Sequence, residues 1–179
     1  RSPIRVGHVS SAVLTVKLDD TYIHQYKKWD KIVINPSRLV NTFPEWKKAI
    51  LDAANDLDFI IISNCRKLMR SHNDNTFVSP TEIMTWTAEN SKVPIIGVNS
   101  FIVEDGGPFA VSTSAIEQGE VAAKLALKII IDKIPVNQLP IQKAREFIIS
   151  MRPELMKKFS MTLPEIYMAS ARISRTYFE

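Results

Sequence analysis

The chain of 179 residues has one cysteine and five glycines. A single cysteine excludes an internal disulfide bond, which fits the cytoplasm and equally fits an exported protein without bridges. No apolar run is long enough to span a membrane as a helix. No methionine or signal-like segment precedes Arg1, so we expect a processed or cut N-terminus. The length and the 45% of apolar residues predict one domain, or one lobe of a larger protein.

Positive charge is not concentrated anywhere along the chain. The formal net charge is +4, and the closest basic clusters, at 27–31 and 66–70, do not alternate with exposed aromatic residues. We therefore interpret the charge as a solvated surface and expect no nucleic-acid partner. The three histidines, His8, His24 and His72, lack the spacing of metal ligands. We predict no metal site and interpret them as structural or surface residues.

Short β-branched runs predict a parallel sheet that is buried on both faces. An earlier and weaker pair of runs, Ile4–Val9 and Ala12–Leu18, is also predicted as strands. The principal predicted strands are Lys31–Asn35, Asp58–Ser63, Pro94–Val98 and Phe147–Ser150.

Between these runs, four segments have the Ser/Thr-x-x-Glu pattern of a capping box, which predicts a helix start at each. Pro80 stands at a first helical position, and Trp46, Ile50 and Ala53 share one helix face. The alternation predicts an α/β fold: a three-layer, doubly wound, mostly parallel sheet forming one Rossmann-like lobe, with ligands at the carboxyl ends of its strands. The four capping segments are Thr42–Glu45, Ser79–Glu82, Ser114–Glu117 and Thr162–Glu165.

Three of the five glycines, Gly106, Gly107 and Gly119, fall between residues 103 and 123. This is not a phosphate-binding loop, because an apolar run precedes the helix and no lysine stands at the required place. We predict a turn at Glu104–Gly107, a short strand through Pro108–Ser112, and a helix that opens at Ser114. Within that helix, Gly119 is expected to let another backbone approach closely.

Cys65 follows a predicted strand, where an α/β enzyme would place a nucleophile. Its neighbours include no base to activate a thiolate, so catalysis is the less favoured reading. Glu104 and Asp105 are adjacent and would point in different directions, although Asp105 could still face a cleft. We predict no catalytic residue, no enzymatic activity and no cofactor.

Three stretches together resemble a known family: NTFPEWKKAILDAANDLDFIIIS, MTWTAENSKVPIIGVNSFIVEDGGPFAVSTSAIEQGEVAAKLALKIIIDKIPVNQLP and LPEIYMASAR. Their order and spacing are similar to those of ABC-transporter substrate-binding proteins of the uncharacterised, tryptophan/tyrosine-type group, which have the type I periplasmic-binding fold. The resemblance covers about Thr42 to Ala171. The sequence departs from it at Ser150–Met151–Arg152, where the family has an Asn-led segment, and at Asn75, which replaces a customary glycine.

The resemblance implies two hinged α/β lobes that close around a small solute, of which this chain is the second. The expected function is an extracytoplasmic or periplasmic solute-binding component, free or tethered to the membrane, that feeds an ABC permease. One alternative is the ligand-sensing ectodomain of a membrane receptor such as a histidine kinase, and another is a Cys65-dependent enzyme. We divide the chain into an N-terminal segment at 1–41, a ligand-binding lobe at 42–150 and a C-terminal helical segment at 151–179.

Five polar residues directly follow predicted strands and are expected to line the ligand-facing edge. Their side chains offer donors and acceptors to a zwitterionic, amino-acid-like solute, and Asp105 could hold its ammonium group. The alternative is that Asn64 and Asn99 only satisfy the loop backbone. The five predicted ligand-binding residues are Ser63, Asn64, Asn99, Ser100 and Asp105.

Overall fold

The computed structural model describes residues 3–179; residues 1 and 2 of the predicted segment 1–41 lie outside this range. The strands are β1 (Ile4–Ser11), β2 (Ile32–Ile34), β3 (Arg38–Val40), β4 (Phe59–Ile62), β5 (Met69–Ser71), β6 (Asp74–Phe77), β7 (Ile95–Gly97), β8 (Phe109–Thr113) and β9 (Phe147–Met151). The helices are α1 (Leu14–Gln25), α2 (Phe43–Asp56), α3 (Pro80–Asn90), α4 (Phe101–Glu104), α5 (Ala115–Ile130), α6 (Pro153–Lys158) and α7 (Glu165–Ile173), with a 3₁₀ turn at Val136–Gln138.

A mostly parallel sheet of seven strands, flanked by helices, forms the centre of the molecule, and the predicted fold class is confirmed. The strand order is β2-β1-β4-β7-β8-β9, and β3 pairs with the last residues of β1. Strands β5 and β6 form a separate antiparallel hairpin. The β-branched runs of β4 and β7 pair in register and are largely buried, as strands covered on both faces must be.

Helix α2 shows how the local sequence specifies a helix and its packing face. Thr42 and Glu45 form a complete capping box, in which each side chain accepts from the backbone of the other. Trp46, Ile50 and Ala53 are fully buried at helical spacing in the main core cluster. The predicted helix start and the predicted core face are both confirmed.

The other three predicted capping boxes are not complete. Ser114 accepts from the backbone of Glu117, but the Glu117 carboxylate binds the backbone of a later segment instead of the cap. Ser79 makes no side-chain cap bond, although α3 does begin at Pro80. Helix α7 begins only at Glu165, with Pro164 as its N-cap, so the box at Thr162 is wrong. Proline fixes φ and thereby sets both of these helix starts without a hydroxyl cap.

The predicted strand at Ala12–Leu18 is wrong, because α1 begins at Leu14. Strand β1 pairs in parallel with β2, and a parallel connection must cross over, which a helix does in α/β folds. Topology therefore overrides the local β propensity of the run VLTV.

The last strand was predicted to be part of a parallel sheet, but β9 runs antiparallel to β8. Residues 114–146 leave the sheet and return at the same end, where the amide of Ser114 donates to the carbonyl of Glu146. A chain that re-enters where it left must run back along its neighbour, so the antiparallel pairing follows.

The glycine-rich stretch forms the predicted turn, with the single-turn helix α4 leading into it. Gly106 has a φ of +117°, which side-chain-bearing residues rarely adopt. Gly97 and Gly107 each lie against Ile102 with no space for a Cβ atom. The close approach predicted at Gly119 is wrong, because nothing in residues 3–179 lies within 4 Å of a Cβ built there.

No helix within residues 3–179 is both long enough and apolar enough to cross a membrane.

Candidate functional site

The five predicted binding residues lie on two loops at the carboxyl ends of neighbouring strands. Ser63 and Asn64 follow β4, and Asn99, Ser100 and Asp105 lie in and around the loop and short helix that follow β7. Because β4 and β7 pair directly, the two loops meet. The Asn99 side-chain amide donates to the carbonyl of Ser63 at 2.9 Å and ties one loop to the other. We call this region the carboxyl edge.

Several of these side chains are engaged within the loops themselves. The Asn64 Oδ1 accepts from the amide of Arg66 at 2.7 Å, and the Ser100 hydroxyl lies 2.6 Å from that of Ser112. Ser63 is 1% exposed and faces the interior. Asn64 and Asn99 thus satisfy loop backbone groups, while Asn64, Asn99, Ser100 and Asp105 remain partly exposed at the edge.

An ion pair joins the two loops on their outer side. The Arg66 guanidinium lies 3.2 Å from the Asp105 carboxylate and 4.3 Å from the centre of the Phe101 ring. The Asp105 side chain is 15% exposed, whereas that of Arg66 is 46% exposed. Arg66 is absent from the predicted binding residues, although its place four residues beyond β4 was a usable signal.

Beneath the edge, a buried network holds the β4 loop against β1. His8 is 1% exposed; its Nε2 lies 3.0 Å from the hydroxyls of Ser10 and Ser63, and its Nδ1 lies 3.0 Å from Asp20. The Ser10 hydroxyl accepts from the backbone amides of Ser63 and Asn64, so its own hydrogen is free for His8 Nε2. With Nε2 facing these hydroxyls, Nδ1 donates to Asp20. Although Ser, His and Asp are aligned here, both hydroxyls are buried, and no substrate could reach them.

Asp20 gives this network an acid-sensitive component. Burial opposes the ionised form, but hydrogen bonds with Ser37 and His8 and the charges of His8 and His24 hold the pKa of Asp20 below its ordinary value of 3.8. Because the pKa of Asp20 is lower in the folded state than in the unfolded state, its ionised carboxylate stabilises the fold at pH values above the unfolded-state pKa. This stabilisation is lost as the pH falls through the folded-state pKa.

Asp20→Asn should therefore lower the free energy of unfolding at neutral pH by about 1.5–3 kcal/mol, the usual contribution of a hydrogen bond to a charged group. The difference from the wild type should shrink below pH 3.8, as wild-type Asp20 becomes protonated. Urea unfolding measured across this pH range checks the expectation, with Asp19→Asn on the exposed side of α1 as the control. A wild-type to Asp20→Asn difference that is constant with pH would contradict it.

Cys65 lies beside this network and is fully buried. Burial, reinforced by the nearby Asp105 carboxylate, raises the pKa of the Cys65 thiol to about 12. The thiol is therefore protonated at physiological pH and inaccessible to a substrate, the opposite of an activated nucleophile.

We expect Cys65 in the native chain to resist a water-soluble aromatic disulfide reagent at pH 8 and to react fully once guanidinium unfolds the protein. The absorbance of the aromatic thiolate that the reagent releases measures the extent of both reactions. Native labelling as fast as labelling of the unfolded chain would show an accessible thiol and would contradict this arrangement.

Two concave surfaces adjoin the lobe. A cavity of about 320 Å³ is lined by Asp105, Gly106, Arg152 and Thr85 on α3. A larger groove of about 590 Å³ runs along α5 and is lined by apolar side chains such as Leu125, Ile129 and Ile141. The larger groove offers few polar groups to fix a small solute, and Val136–Gln138 forms part of its wall, so we read it as a packing surface.

Comparison with solved structures shows the fold of substrate-binding proteins. The ABC domain in complex with L-Trp from Streptococcus pneumoniae is 14% identical, with a TM-score of 0.61 over 93% of this chain and 55% of that one. A ligand-free, open substrate binding protein with adhesive properties from Clostridium difficile is 18% identical, with a TM-score of 0.64 over 90% and 51%. A conserved domain protein from Vibrio cholerae is 18% identical, with a TM-score of 0.56 over 93% of this chain and 53% of that one. The chain thus spans about half the length of these structures.

A search of curated protein sequences finds no match. The sequence model of one family does match, and it covers residues 47–174, more than half of the chain. The matched range runs from α2 to the end of α7 and includes both loops of the carboxyl edge. The chain therefore belongs to the family of ABC transporter substrate binding proteins.

Proposed function

We propose that this chain is the ligand-binding lobe of an extracytoplasmic solute-binding component of an ABC transporter. The observation that carries the proposal is the carboxyl edge, where the loops after β4 and β7 are tied together and present an ion pair and three polar side chains. Ligands of parallel sheets bind outside the carboxyl ends of the strands. The polar residues that we assign to the site are Ser63, Asn64, Asn99, Ser100 and Asp105.

The solute is a zwitterionic, amino-acid-like molecule. Asp105 supplies an anion for its ammonium group, and the Asn and Ser side chains supply neutral donors and acceptors. The L-Trp bound to the related structure from Streptococcus pneumoniae supports this class of solute. Ser63 contributes by holding the loop through His8, not by contact with the solute, because its hydroxyl is buried.

A second α/β lobe completes the site. Helix α5 has 16 residues, none of them buried, yet it carries an apolar face that includes Ile116, Leu127 and Ile130. The chain spans about half the length of its structural relatives, and we infer that a second lobe is the body that covers this face. Hinge closure of the two lobes would trap the solute and favour the closed state through contacts made only there. The closed protein would then deliver the solute to a permease.

Glu117 is positioned to act at the hinge. Its carboxylate accepts from the backbone amides of Arg145 and Glu146. These bonds hold the beginning of the segment 114–146 against its end. These hydrogen bonds, with that from Glu146 the strongest, hold the pKa of Glu117 below its ordinary range. The role is mechanical, and no enzymatic step is proposed, since the candidate nucleophile Cys65 is buried.

Calorimetric titration of the full-length protein with a panel of L-amino acids tests the proposal. The double variant Asn99→Ala, Asp105→Ala should bind the recognised amino acid at least about tenfold more weakly, since it loses a charged and a neutral partner. A matched control is the double variant Asp52→Ala, Asn55→Ala near the C-terminal end of α2, outside the two loops of the site. If the site double variant keeps full affinity for whatever solute binds, the site lies on other loops.

A further inference from the structure

We infer that Arg66 binds the carboxylate of the solute, and that its ion pair with Asp105 restricts the site to solutes carrying both an ammonium group and a carboxylate. This inference rests on the proposed function, to which it adds a residue and a selection rule.

Arg66 is positioned and held as a carboxylate-binding residue. Its amide donates to Asn64 Oδ1, which fixes the loop, and its guanidinium stacks over the Phe101 ring. Stacking on an aromatic face leaves the planar fork of N–H donors free to bind in the plane. Nε and one terminal nitrogen both reach the same Asp105 oxygen, at 3.4 and 3.2 Å. The remaining donors belong to a side chain that is 46% exposed.

The selection rule follows from the unequal burial of the two partners. Asp105 is only 15% exposed, so a solute that drew Arg66 away without replacing its charge would leave a largely buried carboxylate uncompensated. Arg66 is nearly half exposed and can be hydrated when it is displaced. A zwitterion gives Asp105 its ammonium group and Arg66 its carboxylate, and so leaves neither residue without a partner.

Two classes of solute should therefore be rejected for different reasons. A carboxylate without an ammonium group competes with Asp105 for Arg66 and cannot compensate Asp105. An amine without a carboxylate must displace Arg66 and offers it nothing in return. The zwitterion alone exchanges one internal ion pair for two intermolecular ones.

The test uses the full-length protein and calorimetry with L-alanine, L-leucine, L-tyrosine and L-tryptophan, each compared with its amide and its N-acetyl derivative. For the amino acid that binds, the wild type should prefer the zwitterion over both derivatives by roughly tenfold or more. Arg66→Gln should weaken the zwitterion by a similar factor, bind the amide at least as tightly as the wild type does, and still reject the N-acetyl derivative. Asp105→Asn should lose the discrimination against the N-acetyl derivative instead.

Arg5→Gln is the matched control. Arg5 has the same side-chain exposure, 46%, and forms a comparable ion pair with Asp58 at 3.0 Å, at the amino end of the same sheet. Its substitution should leave all three affinities unchanged. If a zwitterion binds, but Arg66→Gln and Arg5→Gln bind all three compounds alike, Arg66 is not a binding residue and the proposed site stands without it. If neither these four nor any other common L-amino acid binds the wild type, both the inference and the proposed function are wrong.

Discussion

Trp46→Ala is expected to lower the free energy of unfolding by roughly 3–5 kcal/mol, the usual cost of truncating a buried aromatic residue. The Trp46 side chain is fully buried among α2, α3 and the sheet. Its indole N–H donates to the Thr87 hydroxyl at 2.8 Å, and that hydroxyl donates to the carbonyl of Ile83. The substitution would remove both the packing volume and a hydrogen bond that links two helices.

Two further variants separate these contributions in denaturant unfolding. Thr87→Val keeps the volume but leaves the indole N–H buried without an acceptor, which should cost about 1–3 kcal/mol. Leu51→Ala, on the exposed face of the same helix, should change the stability by less than about 0.5 kcal/mol. An unfolding midpoint unchanged by Trp46→Ala would show that the residue is not the anchor of α2.

Gly107→Ala is the second change with a large expected effect. A Cβ atom at this position would lie 2.7 Å from the carbonyl oxygen of Ile102, which is backbone and already accepts from the amide of Gly107. The turn cannot relieve this contact by rotating a side chain, so overpacking should cost about 1–3 kcal/mol. Thermal unfolding of the variant measures the loss directly.

Gly119→Ala provides a control with the same chemical change and the opposite expected sign. Gly119 lies inside α5 with nothing within 4 Å of an added Cβ. Alanine there should stabilise the 179-residue chain by about 0.5–1 kcal/mol, through helix propensity alone. Destabilisation by both substitutions would mean that α5 is more crowded than the structure shows.

Local signals in the sequence were sufficient for much of the fold. The β-branched runs of β4 and β7 and the capping residues Thr42 and Ser114 predicted strands and helix starts that the structure contains. Where prediction failed, pairing between distant parts of the chain determined the structure. The run Ala12–Leu18 is helical because the parallel pairing of β1 with β2 requires a crossover, and β9 is antiparallel because the excursion at 114–146 returns beside its point of exit.

The candidate site could be predicted only in outline. The rule that polar residues after parallel strands gather at one edge brought Ser63, Asn64 and Asn99 together, as the structure has them. It could not reveal the partners of these residues, since the pairing of Arg66 with Asp105 spans 39 positions. Nor could it show that Ser63 faces inward, because that follows from the position of His8 on a different strand.

The central claim is that solute binds at the carboxyl edge, and hydrogen–deuterium exchange of the full-length protein with a millimolar mixture of the common L-amino acids tests it most directly. The two candidate surfaces lie on separate peptides, so one experiment distinguishes them. We predict that the mixture slows exchange of the backbone amides at 63–66 and 99–107, the two loops that meet beyond β4 and β7. Slower exchange confined to 117–144, along the apolar groove of α5, with no change in those loops, would contradict the assignment.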